Sequence, residues 1–270
     1  MTPKKPVNRQ SPREKRRFLL IALSILASVL IVWAVQSSSP VEYLEPEVLA
    51  EYPHDTSAYT QGLLWREGIL YESTGKYGRS TLRKVDVESG RVLRSRHLGD
   101  SYFGEGLERV GERLIQLTWN EKVAFVYDLE TFQPLDTFSY GGEGWGLCFD
   151  GERLFMSNGS DTLLVREPEQ FLVVDRKQVT LDARPVSNLN ELECAGGFVW
   201  ANIWNSDRIV RIDPADGRVT AVVDASDLHP TRDGSGEDVL NGIAYIPERQ
   251  TFLLTGKNWP RMFEVRFVPE

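Results

Sequence analysis

Five stretches of this chain begin alike, and that repetition constrains its fold more than any other feature. They read GLLWREGILYEST from Gly62, GLERVGERLIQLTW from Gly106, GLCFDGERLFMSN from Gly146, ELECAGGFVWANIW from Glu191 and GIAYIPERQTFLLTGK from Gly242. Each is a short apolar strand, a turn holding glycine or a polar pair, and a second apolar strand. Third strands follow as LRKVDVESG, AFVYDLETF, TLLVREPEQ and RIVRIDPADG, with MFEVRF in that place in the last unit. Fourth strands such as RVLRSRHL and PLDTFSY come next. The starts lie 44, 40, 45 and 51 residues apart, and units of that size with four short strands predict a β-propeller. After Val35 no long stretch places apolar residues at helical spacing, while loops such as Glu88-Ser89-Gly90 carry turn chemistry. The fifth unit ends after three strands, so residues 41–52 are expected to supply its outermost strand and close the ring. The expected fold class is all-β, a five-bladed β-propeller over residues 41–270.

The N-terminal part reads differently. Residues 18–35, FLLIALSILASVLIVWAV, hold no charge and are long enough to span a bilayer. Residues 1–17 carry seven basic groups against Glu14, a net +6 within a chain of net charge −8, which leaves −14 on the remainder. Basic flanks stay cytoplasmic. The pattern predicts a basic cytoplasmic tail over 1–17, a transmembrane signal anchor over 18–36, a linker over 37–40 and an extracytoplasmic body, in a bacterial inner membrane. A secreted body with a cleaved signal is the alternative. So acidic a body is a poor match for nucleic acid, and no nucleic-acid partner is expected.

Cys148 and Cys194 occupy neighbouring repeat positions, which puts them on opposite sides of their own strands. That arrangement predicts two buried free thiols. His54, His97 and His229 are scattered, with no metal-ligand spacing, and are expected on surfaces or loops.

In antiparallel hairpins the residues before the first strand lie beside those at the end of the second. Before the first strands stand Tyr59-Thr60-Gln61, Phe103-Gly104-Glu105, Glu143-Gly144-Trp145, Leu189-Asn190-Glu191 and Leu240-Asn241. At the ends of the second strands stand Ser73-Thr74, Trp119-Asn120, Ser157-Asn158, Trp204-Asn205 and Lys257-Asn258-Trp259. One rim of the channel should therefore carry aromatics, amides, a carboxylate and an ammonium. Any one Trp there is readily core packing, and any one Asn a turn former. A carboxylate at Glu105 and an ammonium at Lys257 aimed into a channel are costly unless paired or used.

These segments resemble the plant and bacterial glutaminyl-peptide cyclotransferase family. The resemblance rests on YTQGL at 59–63, YFGEGLER at 102–109, LTWNEK at 117–122, GEGWGL at 142–147, LNELE at 189–193, ANIWNSD at 201–207, LNGIAY at 240–245 and LTGKNWP at 254–260. It implies a five-bladed propeller that converts N-terminal glutamine of peptides or proteins to pyroglutamate and releases ammonia, with no cofactor and no metal. It also implies catalytic roles for Glu105, Asn190 and Lys257, and substrate-binding roles for Tyr59, Gln61, Phe103, Trp119, Trp145 and Trp204. Tyr59 departs from the phenylalanine expected at its place. The expected partners are peptide or protein N-termini bearing Gln and, through the anchor, a membrane. A monomer is expected.

The chemistry asks for such residues. A neutral α-amine attacks the side-chain amide carbon, and one carboxyl of raised pKa can move the proton from that amine to the departing ammonia. Glu105, beside Phe103 and facing Trp119 and Trp145, is the candidate. Asn190, Gln61 and Lys257 are candidate oxyanion donors, and Lys257 is equally an ion-pair partner for Glu105 or Glu191. Glu191 and Glu193 are alternatively salt-bridge partners between blades. Two other readings compete. One is a divalent-metal propeller lactonase built on Glu105, Asn158, Asn190 and Asn241, which the crowding tryptophans disfavour. The other is a non-catalytic, aromatic-lined binding propeller. The polar loop at 231–238, with Asp238 at the channel mouth, is a candidate gate.

Overall fold

A computed structural model describes residues 40–228 and 238–270. The expected tail and anchor, the linker up to residue 39, His229 and loop residues 231–237 lie outside the described residues. Among the described residues no helix is long and apolar enough to cross a membrane.

The protein is all-β. Strand β1 is Glu42–Pro53. A first sheet, in sequence order, holds β2 (Thr60–Arg66), β3 (Ile69–Thr74), β4 (Thr81–Asp86) and β5 (Arg91–His97). A second holds β6 (Gly104–Val110), β7 (Arg113–Thr118), β8 (Val123–Asp128) and β9 (Pro134–Ser139). A third holds β10 (Leu147–Phe149), β11 (Leu154–Met156), β12 (Thr162–Arg166) and β13 (Val173–Gln178). A ribbon of β14 (Thr180–Leu181) and β15 (Arg184–Pro185) follows. The remaining strands are β16 (Leu189–Ala195), β17 (Phe198–Ile203), β18 (Arg208–Ile212), β19 (Val219–Asp224), β20 (Leu240–Ile246), β21 (Thr251–Gly256) and β22 (Arg261–Pro269). With β1 they form one eight-stranded sheet, in the order β16-β17-β18-β19-β1-β22-β21-β20. Strand β1 pairs antiparallel with β22 and parallel with β19, so the N-terminal strand completes the last unit as its sequence predicts.

The first strand of each unit lies against that of the next: β2 on β6, β6 on β10, β10 on β16, β16 on β20, and β20 back on β2. Apolar layers fill the spaces between units. Leu64 and Tyr71 meet Leu107 and Leu114, for example, and Leu63 and Leu70 meet Ala244 and Leu253 where the last unit meets the first. Inner strands such as β3 and β7 are buried almost throughout, whereas outer strands such as β5 and β9 are largely exposed and polar.

Glycine makes this central approach possible. A Cβ on Gly62 would stand 2.6 Å from Leu107 N, one on Gly106 2.7 Å from Leu147 N, and one on Gly146 2.2 Å from Asn190 O. The fourth unit has Glu191 in the equivalent place. Its carboxylate accepts the backbone N–H of Leu63 at 3.3 Å and of Ile243 at 2.8 Å, tying β16 to β2 and β20. The salt bridge expected for Glu191 is replaced by these backbone amides, and burial pushes its pKa well up.

Cys148 and Cys194 form a disulfide, contrary to the free thiols expected. The reason is geometric. Residues on opposite faces of two successive sheets point into the layer those sheets share, so opposite facing brings the two thiols together. Their Cα atoms are 5.3 Å apart. His54 also departs from expectation. Its side chain is only 4% exposed and Nε2 lies 2.9 Å from Glu72 Oε1.

Candidate functional site

Gln61, Glu105 and Asn190 stand where the first strands bulge. Four of these strands shift register against their partners at the same point: between Thr60 and Gly62, Gly104 and Leu107, Leu189 and Leu192, and Leu240 and Ile243. A bulge adds one residue and re-aims a side chain. Here the residues involved include Gln61, Glu105, Asn190 and Asn241, each followed by the residue that approaches the axis. Serines at the ends of second strands hold the bulged backbone from the neighbouring sheet. Ser73 donates to the Glu105 carbonyl, and Ser157 Oγ donates to Asn190 O at 2.6 Å.

A cavity of about 290 Å³ opens at this end of the first strands. It is lined by Tyr59, Gln61, Phe103, Glu105, Trp119, Trp145, Asn190, Trp204 and Lys257, together with Lys76. All nine residues singled out from sequence therefore come together. The aromatic walls are mutually braced. Tyr59 and Trp119 approach Phe103 edge-on at 6.1 and 5.6 Å between centroids, and Trp145 meets Trp204 edge-on at 5.6 Å. Phe103 rests on Gly75, where any Cβ would stand 2.3 Å from the ring. Trp204 stays partly open to solvent at the rim, 39% exposed.

Charge is concentrated at the floor. Glu105 is 4% exposed, and Oε1 accepts Gln61 Nε2–H at 2.9 Å. Burial pushes the Glu105 pKa well above the usual carboxylate range, Glu143 and Glu121 push it further, and Lys257 pulls it back. The Lys257 ammonium is itself buried and lies 4.9 Å from the centroid of Tyr59. Two groups escaped the sequence reading. Lys76 places its ammonium 4.0 Å from the same ring, from a residue in left-handed backbone conformation (φ 91°). Glu143 Oε2 accepts both indole N–H groups, from Trp119 and from Trp145, each at 2.8 Å. Its place immediately before Gly144-Trp145 was a signal, but a joint partner from another sheet was not readable.

The family profile described as Glutamine cyclotransferase matches residues 20–267. This chain belongs to the glutamine cyclotransferase family. Glutaminyl-peptide cyclotransferase of Arabidopsis thaliana is 40% identical over 268 residues, covering 93% of this chain and 84% of the relative. The crystal structure of Myxococcus xanthus glutaminyl cyclase matches with a TM-score of 0.80 and 43% identity, covering 86% of this chain and all of that one.

Within this cyclotransferase-family chain, two amides of the rival metal set make hydrogen bonds, although Asn241 Oδ1 is left without one among the described residues. Asn158 Oδ1 accepts from the backbone and hydroxyl of Ser160, capping its own loop. Asn241 Nδ2 donates to Thr60 O and Gln61 Oε1. Asp238 Oδ1 accepts from Asn258 Nδ2 at 3.2 Å.

Proposed function

We propose that the protein is a glutaminyl-peptide cyclotransferase, closing N-terminal glutamine of peptides or proteins into pyroglutamate with release of ammonia. What carries the reading is the convergence of nine family-motif residues on one aromatic cavity with a buried carboxyl at its floor, in a chain of this family. The units are read as the blades of a five-bladed propeller. Supporting this, the eight-stranded sheet divides at the β19–β1 pairing into two four-stranded halves. The body is placed outside the cytoplasm, held by an anchor over 18–36. The charge-free stretch behind a basic tail supports that placement.

In the proposed reaction the indoles enclose the glutamine side chain and hold it curled over its own amine, which makes the attack proximity-driven. That amine must be neutral, and its reference pKa of about 8 makes a modest shift sufficient. Its nitrogen bonds to the side-chain amide carbon and its proton passes to Glu105. Asn190 and Lys257 serve as donors to the oxyanion. Collapse breaks the bond to the amide nitrogen, which leaves as ammonia with the proton Glu105 returns. The raised pKa of Glu105 brings it closer to those of the nitrogens it exchanges protons with, which suits it to both transfers.

The test is ammonia release from a short Gln-initiated peptide, with and without a strong chelator, beside Glu105→Gln. Chelator-resistant turnover that falls by at least about 10²-fold in the variant is the expected result, the lower end for a lost acid–base group. Turnover that survives the substitution removes Glu105 from the mechanism. No turnover by the folded native protein removes the function.

A further inference from the structure

We propose that Asn241 is a positioning residue that acts through Gln61 to fix which oxygen of Glu105 handles the proton. The inference rests on the proposed cyclisation and deepens it.

A backbone carbonyl fixes the orientation of the Asn241 amide. Thr60 O can only accept, so the Asn241 group 2.9 Å from it is the Nδ2 amide. The same Nδ2 carries a second proton, which reaches Gln61 Oε1 at 3.1 Å. That contact turns the Gln61 amide so that its NH₂ end faces Glu105, and Nε2 donates to Glu105 Oε1 at 2.9 Å. One fixed acceptor thus sets the direction of three successive hydrogen bonds. Asn241, Gln61 and Glu105 are all buried, and Asn241 is wholly inaccessible. They come from β20, β2 and β6, the bulged first strands of three units.

The chemical consequence concerns Glu105. An oxygen already receiving a proton from Gln61 is the carbonyl-type oxygen of the neutral acid, so the acid's own proton resides on Oε2. Both transfers of the cyclisation then pass through Oε2: it takes the proton from the attacking amine and returns it to the leaving nitrogen. The donor on Oε1 also favours the carboxylate that takes the amine proton in the first step and is restored by the second. If Gln61 turned over, its carbonyl would face Glu105 and accept the acid proton, holding Glu105 in the protonated state.

The pH profile of kcat/KM tests this, with Asn241→Ala, Gln61→Leu and the double variant beside the native full-length protein. The other charges facing Glu105 are Lys257, Glu143 and Glu121, and the hydroxyls of Tyr140 and Tyr77 lie within its field; none is changed by these substitutions. Asn241→Ala is expected to lower kcat by roughly tenfold, the scale of one hydrogen bond's free energy, and to move the acid limb to higher pH. In the Gln61→Leu background it should add nothing, because its route to Glu105 is gone. Effects that simply multiply in the double variant, or a loss of folding stability with an unmoved acid limb, would overturn the proposal. Should the alanine variant not fold, Asn241→Ser carries the same test, since its single hydroxyl proton can serve Thr60 O or Gln61 Oε1 but not both. The infrared C=O band of protonated Glu105, assigned by its loss in Glu105→Gln, follows the same ionisation without turnover. A band whose titration is unmoved in the Asn241 variants refutes the positioning role, whereas an inactive native protein refutes the cyclisation itself.

Discussion

Replacing Glu191 by glycine would restore the residue found at the start of the other four repeats, and by consensus alone it should be neutral or stabilising. The structure predicts the opposite. Glu191 is wholly buried and its carboxylate accepts the amide protons of Leu63 and Ile243. Removing it leaves two buried N–H groups without that partner, at about 1–3 kcal/mol each. The added chain flexibility of glycine costs roughly 0.5–1 kcal/mol more. Relief from burying a carboxyl, and water reaching the freed amides, offset part of this. The expected net loss is about 2–4 kcal/mol. Equilibrium urea denaturation followed by tryptophan fluorescence would read it as a lower midpoint at unchanged slope. Glu191→Gln, which keeps one acceptor, should fall between. A Glu191→Gly protein as stable as the native one, or more so, would refute the view that this carboxylate ties the first strands together.

Reducing the Cys148–Cys194 disulfide, which spans 46 residues of sequence, should cost about 4 kcal/mol on the loop-entropy relation, read as the difference between denaturation midpoints with and without reductant. A midpoint indifferent to reductant would argue against the bond. Burial works against a charged His54, but the charge and hydrogen bond of Glu72 prevail and raise its pKa above 6.5. Its contribution to stability is therefore full below pH 6.5 and is lost as pH rises through the folded-state value. His54→Gln should flatten that limb of the stability–pH curve, and an unchanged limb would exclude the pair as its source. Glu143→Gln removes a charge that raises the Glu105 pKa, so the acid limb of kcat/KM should move to lower pH, the direction opposite to the Asn241 variants. Glu143→Ala should also raise KM, because the acceptor joining Trp119 to Trp145 is then gone.

The site was legible to an unusual extent because the repeat and the hairpin geometry together say which positions share an end of the ring. Gln61, Glu105 and Asn190 stand at the starts of first strands, and Trp119, Trp204 and Lys257 just past the ends of second strands. Antiparallel pairing brings those two sets to one mouth whatever the packing details. Lys76 and Glu143 were not legible in the same way. Lys76 reaches the cavity from a left-handed residue beyond a strand end, and Glu143 matters through two indoles borne on different loops. Strand periodicity does not report either kind of contact.

The sequence by itself determined the period of the units, the all-β class, the N-terminal strand that completes the last unit, and the residues gathered at one mouth. All of these follow from local alternation and from spacing along the chain. Only the tertiary structure decided what happens between units. It turned the opposite facing of Cys148 and Cys194 into a bond, drew His54 into an ion pair with Glu72, and set Glu191 among the amides of two other strands. It also directed the hydrogen bonds from Asn241 to Glu105. A strand's own pattern records which face a residue is on. Which neighbour that face meets depends on how successive sheets stack around the axis, and that stacking is a property of the closed ring.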